Sequence, residues 1–180
     1  MTKKAKIKQE ISIPEGVTAS YKDNEFHIKG EKGELTRKFA HPDFSFSISD
    51  GTISIKSVKS RREQKALMST FAKHIRNMIH GVTEGFEYTM KTVYSHFPIK
   101  TNVKDDTVLI QNFLGERAPR KAQILDNVTV EVKGDDITVK GIDKEKVGQT
   151  VANIERATAV SRRDIRVFQD GIYRTSRGGS

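Results

Sequence analysis

Between Ser161 and Arg177 the chain carries five arginines, Arg162, Arg163, Arg166, Arg174 and Arg177, with Tyr173 among them. A guanidinium is a planar fork that meets phosphate oxygens two at a time, and its face stacks on exposed bases. Arginines gathered in loop and tail segments can follow a nucleic-acid backbone. A second group, Arg117, Arg120 and Lys121 around Pro119, follows Gly115-Glu116 and reads as a basic loop with the same reach. A third, Arg62, Lys65, Lys73 and Arg76, recurs at spacings of three, eight and three, on one side of a helix opposite Leu67 and Phe71. It reads first as a solvated helix face, with a secondary phosphate contact as the functional alternative. The first 80 residues hold 16 basic against 9 acidic side chains, the remaining hundred 16 against 14. Net charge thus favours the N-terminal half, whereas arginine density favours the C-terminal one.

Other chemistries lack their residues. The chain has no cysteine, which excludes disulfides, zinc-thiolate sites, iron–sulfur clusters and thiol nucleophiles. His27, His41, His74, His80 and His96 form no zinc-protease pattern. His74 and His80 are six apart and do not share a helix face. Gly30 and Gly33 follow a strand but open no dinucleotide-binding helix, and no Walker pattern occurs. The paired acids Asp105-Asp106 and Asp135-Asp136 sit in turns, where adjacent carboxylates are ordinary. Nothing assembles a nucleophile, a base and an oxyanion donor. The expectation is a non-enzymatic protein with no cofactor, no metal and no small-molecule substrate. A sheet platform for base stacking is not expected, because no aromatic-rich strand resembles an RNP motif and the second hairpin of neither half offers exposed aromatics. Phosphate and shape recognition of structured nucleic acid remains.

The elements that position these groups are legible in outline. The chain has 180 residues, a net charge of +9, 35% hydrophobic and 31% charged residues. Two small cores suit that composition better than one large one. No apolar run reaches the roughly 20 residues of a membrane helix, and the basic N-terminus lacks the apolar stretch of a signal peptide. The expectation is a soluble intracellular protein with an anionic partner.

The halves repeat. Tyr21–Ile28 alternates on both sides of Asp23-Asn24, and Val103–Ile110 repeats the pattern 82 residues on. Gly33-Glu34 then falls on Gly115-Glu116, and Arg37-Lys38 on Arg120-Lys121 after one residue of slippage. Phe44, Phe46 and Ile48, the turn Asp50-Gly51, then Ile53 and Ile55 form a second hairpin. Val128, Val130 and Val132, Gly134-Asp135, then Ile137 and Val139 match it at an offset of 84. Such alternation predicts half-buried antiparallel strands. A helix follows each. Ser60 and Glu63 read as a capping box, Leu67, Phe71, Ile75 and Met78 as the apolar stripe, and Gly81 as the stop. Asp143 reads as the N-cap of a shorter helix with Val147, Val151, Ile154 and Thr158. Each half is therefore hairpin, basic loop, hairpin, helix, with Phe71 and Val151 buried. The fold class is α+β, an internal duplication of two similar halves each of antiparallel β-hairpins packed on one helix. The halves are residues 1–82 and 83–180, with one fused core as the alternative. The tail from Thr175 lacks apolar residues and is expected to be mobile.

Five ordered blocks carry a family resemblance. They are Gly81-Val82-Thr83-Glu84-Gly85-Phe86, Val93-Tyr94-Ser95-His96-Phe97-Pro98-Ile99, Asn112-Phe113-Leu114-Gly115-Glu116, Val147-Gly148-Gln149-Thr150 and Asp164 through Tyr173. With them the chain resembles the large-subunit ribosomal protein L-six family, in its archaeal and eukaryotic branch. The Asp170-Gly171-Ile172-Tyr173 ending is similar to that branch rather than the bacterial one. The resemblance implies a duplicated, non-enzymatic protein. It implies a cytoplasmic structural constituent of the large ribosomal subunit. The implied partners are large-subunit rRNA and neighbouring ribosomal proteins, with no membrane. It also implies RNA contact near the sarcin–ricin loop and the factor-binding region, made mainly by the C-terminal half. A free-standing DNA-architectural module and a hydrolase with dispersed acids are the competing readings. The first lacks a recognition helix with exposed base-reading residues, and the second lacks a catalytic constellation.

Overall fold

The computed structural model describes residues 7–49, 51–161 and 163–177. Asp50, Arg162 and residues 178–180 lie outside the described residues, as does the side chain of Arg177. The chain divides into two compact units, Met1–Glu84 and Gly85–Ser180. Each has its own apolar core.

The first unit contains β1 (Ile7–Ser12), β2 (Thr18–Lys22), β3 (Glu25–Gly30), β4 (Gly33–Lys38), β5 (Phe44–Ser49), β6 (Thr52–Ser57) and α1 (Arg62–Thr83). β2, β3 and β4 form an antiparallel meander, and β1, β6 and β5 a second three-stranded sheet. Asp23 and Asn24 both have positive φ, 51° and 65°, as the tightest hairpin turns require. Phe26 and Ile28 on β3, Ile53 and Ile55 on β6, and Ile75 and Val82 on α1 are wholly buried.

Three local expectations for α1 need correction. The Ser60–Glu63 capping box does not form, because the helix begins one residue later, with Arg61 as an N-cap that makes no side-chain capping bond. The N3 position then falls on Gln64, which is turned inward. Gly81 does not stop the helix. The helix runs on to Thr83 because Val82 is a fully buried anchor, and Gly30 leaves it room: a Cβ on Gly30 would lie 2.8 Å from Val82 Cγ2. The left-handed residue that ends the turn is Gly85, φ 78°. Phe71 is only half-buried, edge-on to Phe39 and Phe44 at 5.6 and 5.2 Å. The buried centre runs through Met68, Ala72, Ile75, Ile79 and Val82 instead.

The second unit contains β7 (Phe86–Val93), β8 (Lys100–Lys104), β9 (Thr107–Gln111), β10 (Arg120–Gln123), β11 (Val128–Lys133), β12 (Asp136–Gly141), α2 (Lys144–Ala157) and β13 (Gly171–Arg177). Its meander is β8-β9-β10 and its other sheet β11-β12-β7-β13. Both units thus run strand, three-stranded meander, hairpin, helix, and β13 is an addition to the second. The stretches read as basic loops are the third strands of the meanders. Arg37 and Lys38 lie in β4, and Arg120 and Lys121 in β10. The tail from Thr175 to Arg177 belongs to β13, with Ser176 opposite Thr89 and Arg177 opposite Tyr88. Asp143 caps α2 as expected, its Oδ1 accepting from the N–H of Glu145 at 2.9 Å. Val147, Val151, Ile154 and Thr158 are all buried.

Candidate nucleic-acid interface

Of the C-terminal arginines, Arg163 and Arg166 lie on the segment between α2 and β13, and Arg174 and Arg177 on β13 itself. The foot of that segment is Asp170, whose side chain is fully buried. The carboxylate accepts from the backbone N–H of Ser95 at 3.2 Å and of His96 at 3.4 Å, and from His96 Nδ1 at 3.1 Å. Burial alone would push this carboxyl up. The His96 side chain and the two backbone N–H groups outweigh that and hold it below the usual carboxylate value. One side chain therefore ties the loop after β7 to the loop before β13.

Above this anchor the His96 ring stacks on Phe168, centroids 4.6 Å apart and planes 21° from parallel. The Arg163 guanidinium lies over the same Phe168 ring, 4.7 Å from its centre. Asp164, Ile165, Arg166 and Val167 make an exposed turn in which the Asp164 carbonyl accepts from the N–H groups of Val167 and Phe168. The Arg166 side chain is 88% exposed and pairs with Asp164 through Nε at 3.2 Å. The backbone N–H of Arg166, and then its side chain, lower the Asp164 carboxyl. Ile165 and Val167 are 69% and 59% exposed on the same turn. A solvent-exposed ion pair such as Arg166–Asp164 holds little free energy, so a phosphate can compete for the guanidinium.

Arg120 takes a different part from the one its sequence position suggests. Its Nε donates to Glu116 Oε2 at 2.8 Å and its terminal nitrogens to Glu116 Oε1, Ala157 O and Ala159 O at 2.6, 2.9 and 3.1 Å. The guanidinium also covers the buried Phe113 ring at 4.2 Å. It closes the C-terminal end of α2, where unsatisfied carbonyls and the helix dipole favour a cation. Arg120 therefore braces the start of the arginine segment from within. Its hydrogen bond, before burial and the more distant Arg163, governs the lowered Glu116 carboxyl.

Arg117 and Lys121 are exposed. Tyr173 is 48% exposed and its hydroxyl donates to the Gln169 carbonyl at 3.0 Å. Strand alternation puts Arg174 on the opposite face of β13, where its backbone N–H meets Glu155 Oε1 at 3.2 Å. Tyr173 and Arg174 thus do not share a surface. In the first unit Arg62, Lys65, Lys73 and Arg76 are all exposed along α1. Among the described residues no group of three histidines or acids could hold a metal, and no helix is long and apolar enough to cross a membrane. His96, Phe168, Asp170 and Glu116, which pack against or anchor the candidate arginines, are not among the residues the sequence reading singled out. The first and third are 74 positions apart, and no local spacing announces such a pair.

The profile of the family described as Ribosomal protein L6 matches twice, at residues 13–85 and 97–171. The chain is 50% identical over 167 residues to the large ribosomal subunit protein uL6 of Methanothrix thermoacetophila, covering 93% of this chain and 95% of that one. It is 49% identical over 173 residues to the protein of that name in Methanobrevibacter smithii, covering 96% and 97%. The corresponding protein of Methanosarcina mazei is 48% identical over 167 residues, covering 93% and 95%.

Proposed function

The chain belongs to the Ribosomal protein L6 family, and from that premise we propose that its second unit is the main rRNA-binding half of the protein. It is a structural, non-enzymatic protein of the large ribosomal subunit, working in the cytoplasm beside rRNA and other ribosomal proteins. The finer reading is that Arg162, Arg163, Arg166 and Arg177, with Tyr173, Arg117 and Lys121, bind large-subunit rRNA near the sarcin–ricin loop and the factor-binding region, and that Arg174 adds a contact from the opposite face of β13. Arg120 supports this surface from behind.

The observation that carries the reading is the Arg163–Phe168–His96 column standing on buried Asp170. It holds a mobile type of side chain in one place before RNA arrives, so less rotamer freedom is lost on binding. Around it, Arg166 and Arg117 add exposed positive charge that releases counterions when phosphates approach. The Arg62, Lys65, Lys73 and Arg76 stripe supplies a secondary contact. Two experiments test the function: sedimentation of the tagged chain with large subunits, and binding to an rRNA fragment spanning the sarcin–ricin loop against a control fragment. Equal affinity for both fragments would overturn the assigned location.

A further inference from the structure

Phe97 follows His96 directly and is 42% exposed, although a phenyl ring has no polar atom that gains from water. One face of the ring is backed. A Cβ on Gly115 would lie 3.3 Å from Cζ and 3.5 Å from each Cε, which puts the glycine against the ring face near Cζ and not at its edge. That approach and a φ of 79° both call for glycine. The turn that delivers Gly115 is strained, since Leu114 also has a positive φ, 51°, a costly conformation for leucine that is kept where it serves a site. The Asn112 amide fastens this turn to the other arm by donating to the Pro98 carbonyl at 3.0 Å. On the near side His96 is held by buried Asp170. The ring is therefore fixed from both flanks. With one face on Gly115, its exposure belongs to the opposite face and the rim.

Cations flank the ring. Arg117 is exposed and two residues beyond Gly115, and Arg163 lies over the Phe168 ring that stacks on His96. The charge of Arg163 is felt at Glu116, between Gly115 and Arg117, so the two arms stand close. The Glu116 carboxylate is itself engaged by Arg120. An open ring between guanidiniums fits a nucleotide, whose base stacks while its phosphates meet the cations. An apolar side chain of a protein would cover the ring equally well, but it would leave both guanidiniums to lose water without gaining a partner. A base inside a duplex offers no free face, because its neighbours in the stack cover it.

We propose that Phe97 is a stacking platform for one unpaired nucleobase of the rRNA, with Arg117 and Arg163 meeting the phosphates of that nucleotide. The proposal rests on the RNA reading of the second unit and adds a contact that depends on a base and not on charge. A phenyl ring reads no base edge, so the platform favours splayed-out nucleotides over duplex without choosing among the bases. Gly115 acts through Phe97 as a positioning residue.

The test uses the full chain, which contains no tryptophan, so Phe97→Trp introduces a single indole whose fluorescence a stacked base quenches. Two probes are titrated, the rRNA fragment spanning the sarcin–ricin loop and a fully paired RNA duplex of equal length. The fragment is expected to quench the indole saturably and the duplex to leave it unchanged. Phe97→Leu keeps apolar bulk at this exposed position without the flat face. It is expected to bind the fragment about tenfold or more weakly, with the parent slope of log-affinity against log-salt, and to bind the duplex as the parent does. Phe97→Trp is expected to keep the parent affinity for the fragment. Equal quenching by the two probes, no quenching by either, or a flattened salt slope in Phe97→Leu would each overturn the platform and leave the arginine surface standing. Parent affinity in Phe97→Leu would do the same and return the ring to a protein contact. No salt-dependent binding of the fragment by the parent chain would overturn the RNA reading itself, and the platform with it.

Discussion

His96 and Asp170, 74 residues apart, meet at 3.1 Å between Nδ1 and a carboxylate oxygen whose side chain is wholly shielded from water. An ionised carboxylate only accepts, so the imidazole donates. The pair fastens two loops that the Gly171–Val93 pairing of β13 with β7 has already brought side by side, and it positions the ring on which Phe168 and then Arg163 rest.

Acid should loosen this joint. The Asp170 carboxyl lies lower in the folded chain than in the unfolded one, burial being outweighed by His96 and the two backbone donors. Its contribution is therefore complete above the ordinary carboxylate range and is lost as pH falls through that range toward the folded value, from about pH 5 downward. Urea unfolding at pH 7 and at acid pH is expected to show a smaller acid decrement in Asp170→Asn than in the parent chain. Asp170→Ala should cost about 1–3 kcal/mol at pH 7, since it removes the shared acceptor of three part-buried donors.

Arg120 separates bracing from binding. Arg120→Ala loses the bonds to Glu116, Ala157 and Ala159, and should cost about 1.5–3 kcal/mol of stability. Its log-affinity for rRNA should keep the parent slope against log-salt. A slope reduced by a full phosphate contact would return Arg120 to the binding surface.

The register of α1 gives a packing test. Ile75 is fully buried, and Ile75→Ala should cost about 3–4 kcal/mol, whereas half-buried Phe71→Ala should cost about 1.5–3 kcal/mol. Chemical denaturation of both variants checks the order. A larger loss at Phe71 would mean that the aromatic cluster, not the Met68–Ala72–Ile75 face, dominates the core.

Gly30→Ala should destabilise by about 1–3 kcal/mol, because the new methyl would meet both Val82 Cγ2 and the Val82 carbonyl oxygen at 2.8 Å. The backbone contact cannot be relieved by rotating a side chain. Val82→Ala in the same chain should therefore recover only part of the loss, measured by the same unfolding curves.

The hairpins were legible because alternation around Asp23-Asn24 and Gly134-Asp135 matches the pleat, and α2 because Asp143 and Val147, Val151, Ile154 mark both its start and its face. β4 and β10 were not, since Arg37-Lys38 and Arg120-Lys121 look like loop chemistry while serving on strands with a solvent face. β13 hid for the same reason, with Ile172 its one fully buried apolar side chain among the described residues. The register of α1 slipped because Ala72 and Gly81 are buried through smallness, which hydrophobic spacing does not weigh. Arginine density pointed to the candidate surface. The Asp170–His96 anchor and the internal engagement of Arg120 depend on tertiary contacts that no local pattern encodes.

The central claim, that the C-terminal arginines rather than the α1 stripe carry the rRNA contact, is tested most directly by salt dependence. Affinity for a large-subunit rRNA fragment would be measured from low to high salt for three chains. These are the parent, the Arg162, Arg163 and Arg166 triple alanine variant, and the Arg62, Lys65, Lys73 and Arg76 quadruple variant. Each lost phosphate contact removes about 0.7–0.9 from the log-affinity against log-salt slope, so the triple variant should bind weakly with a slope flatter by about two to three. The quadruple variant should lose less affinity and less slope than the triple one, although it removes more charge. Loss of most affinity in the quadruple variant with normal binding by the triple variant would contradict the account.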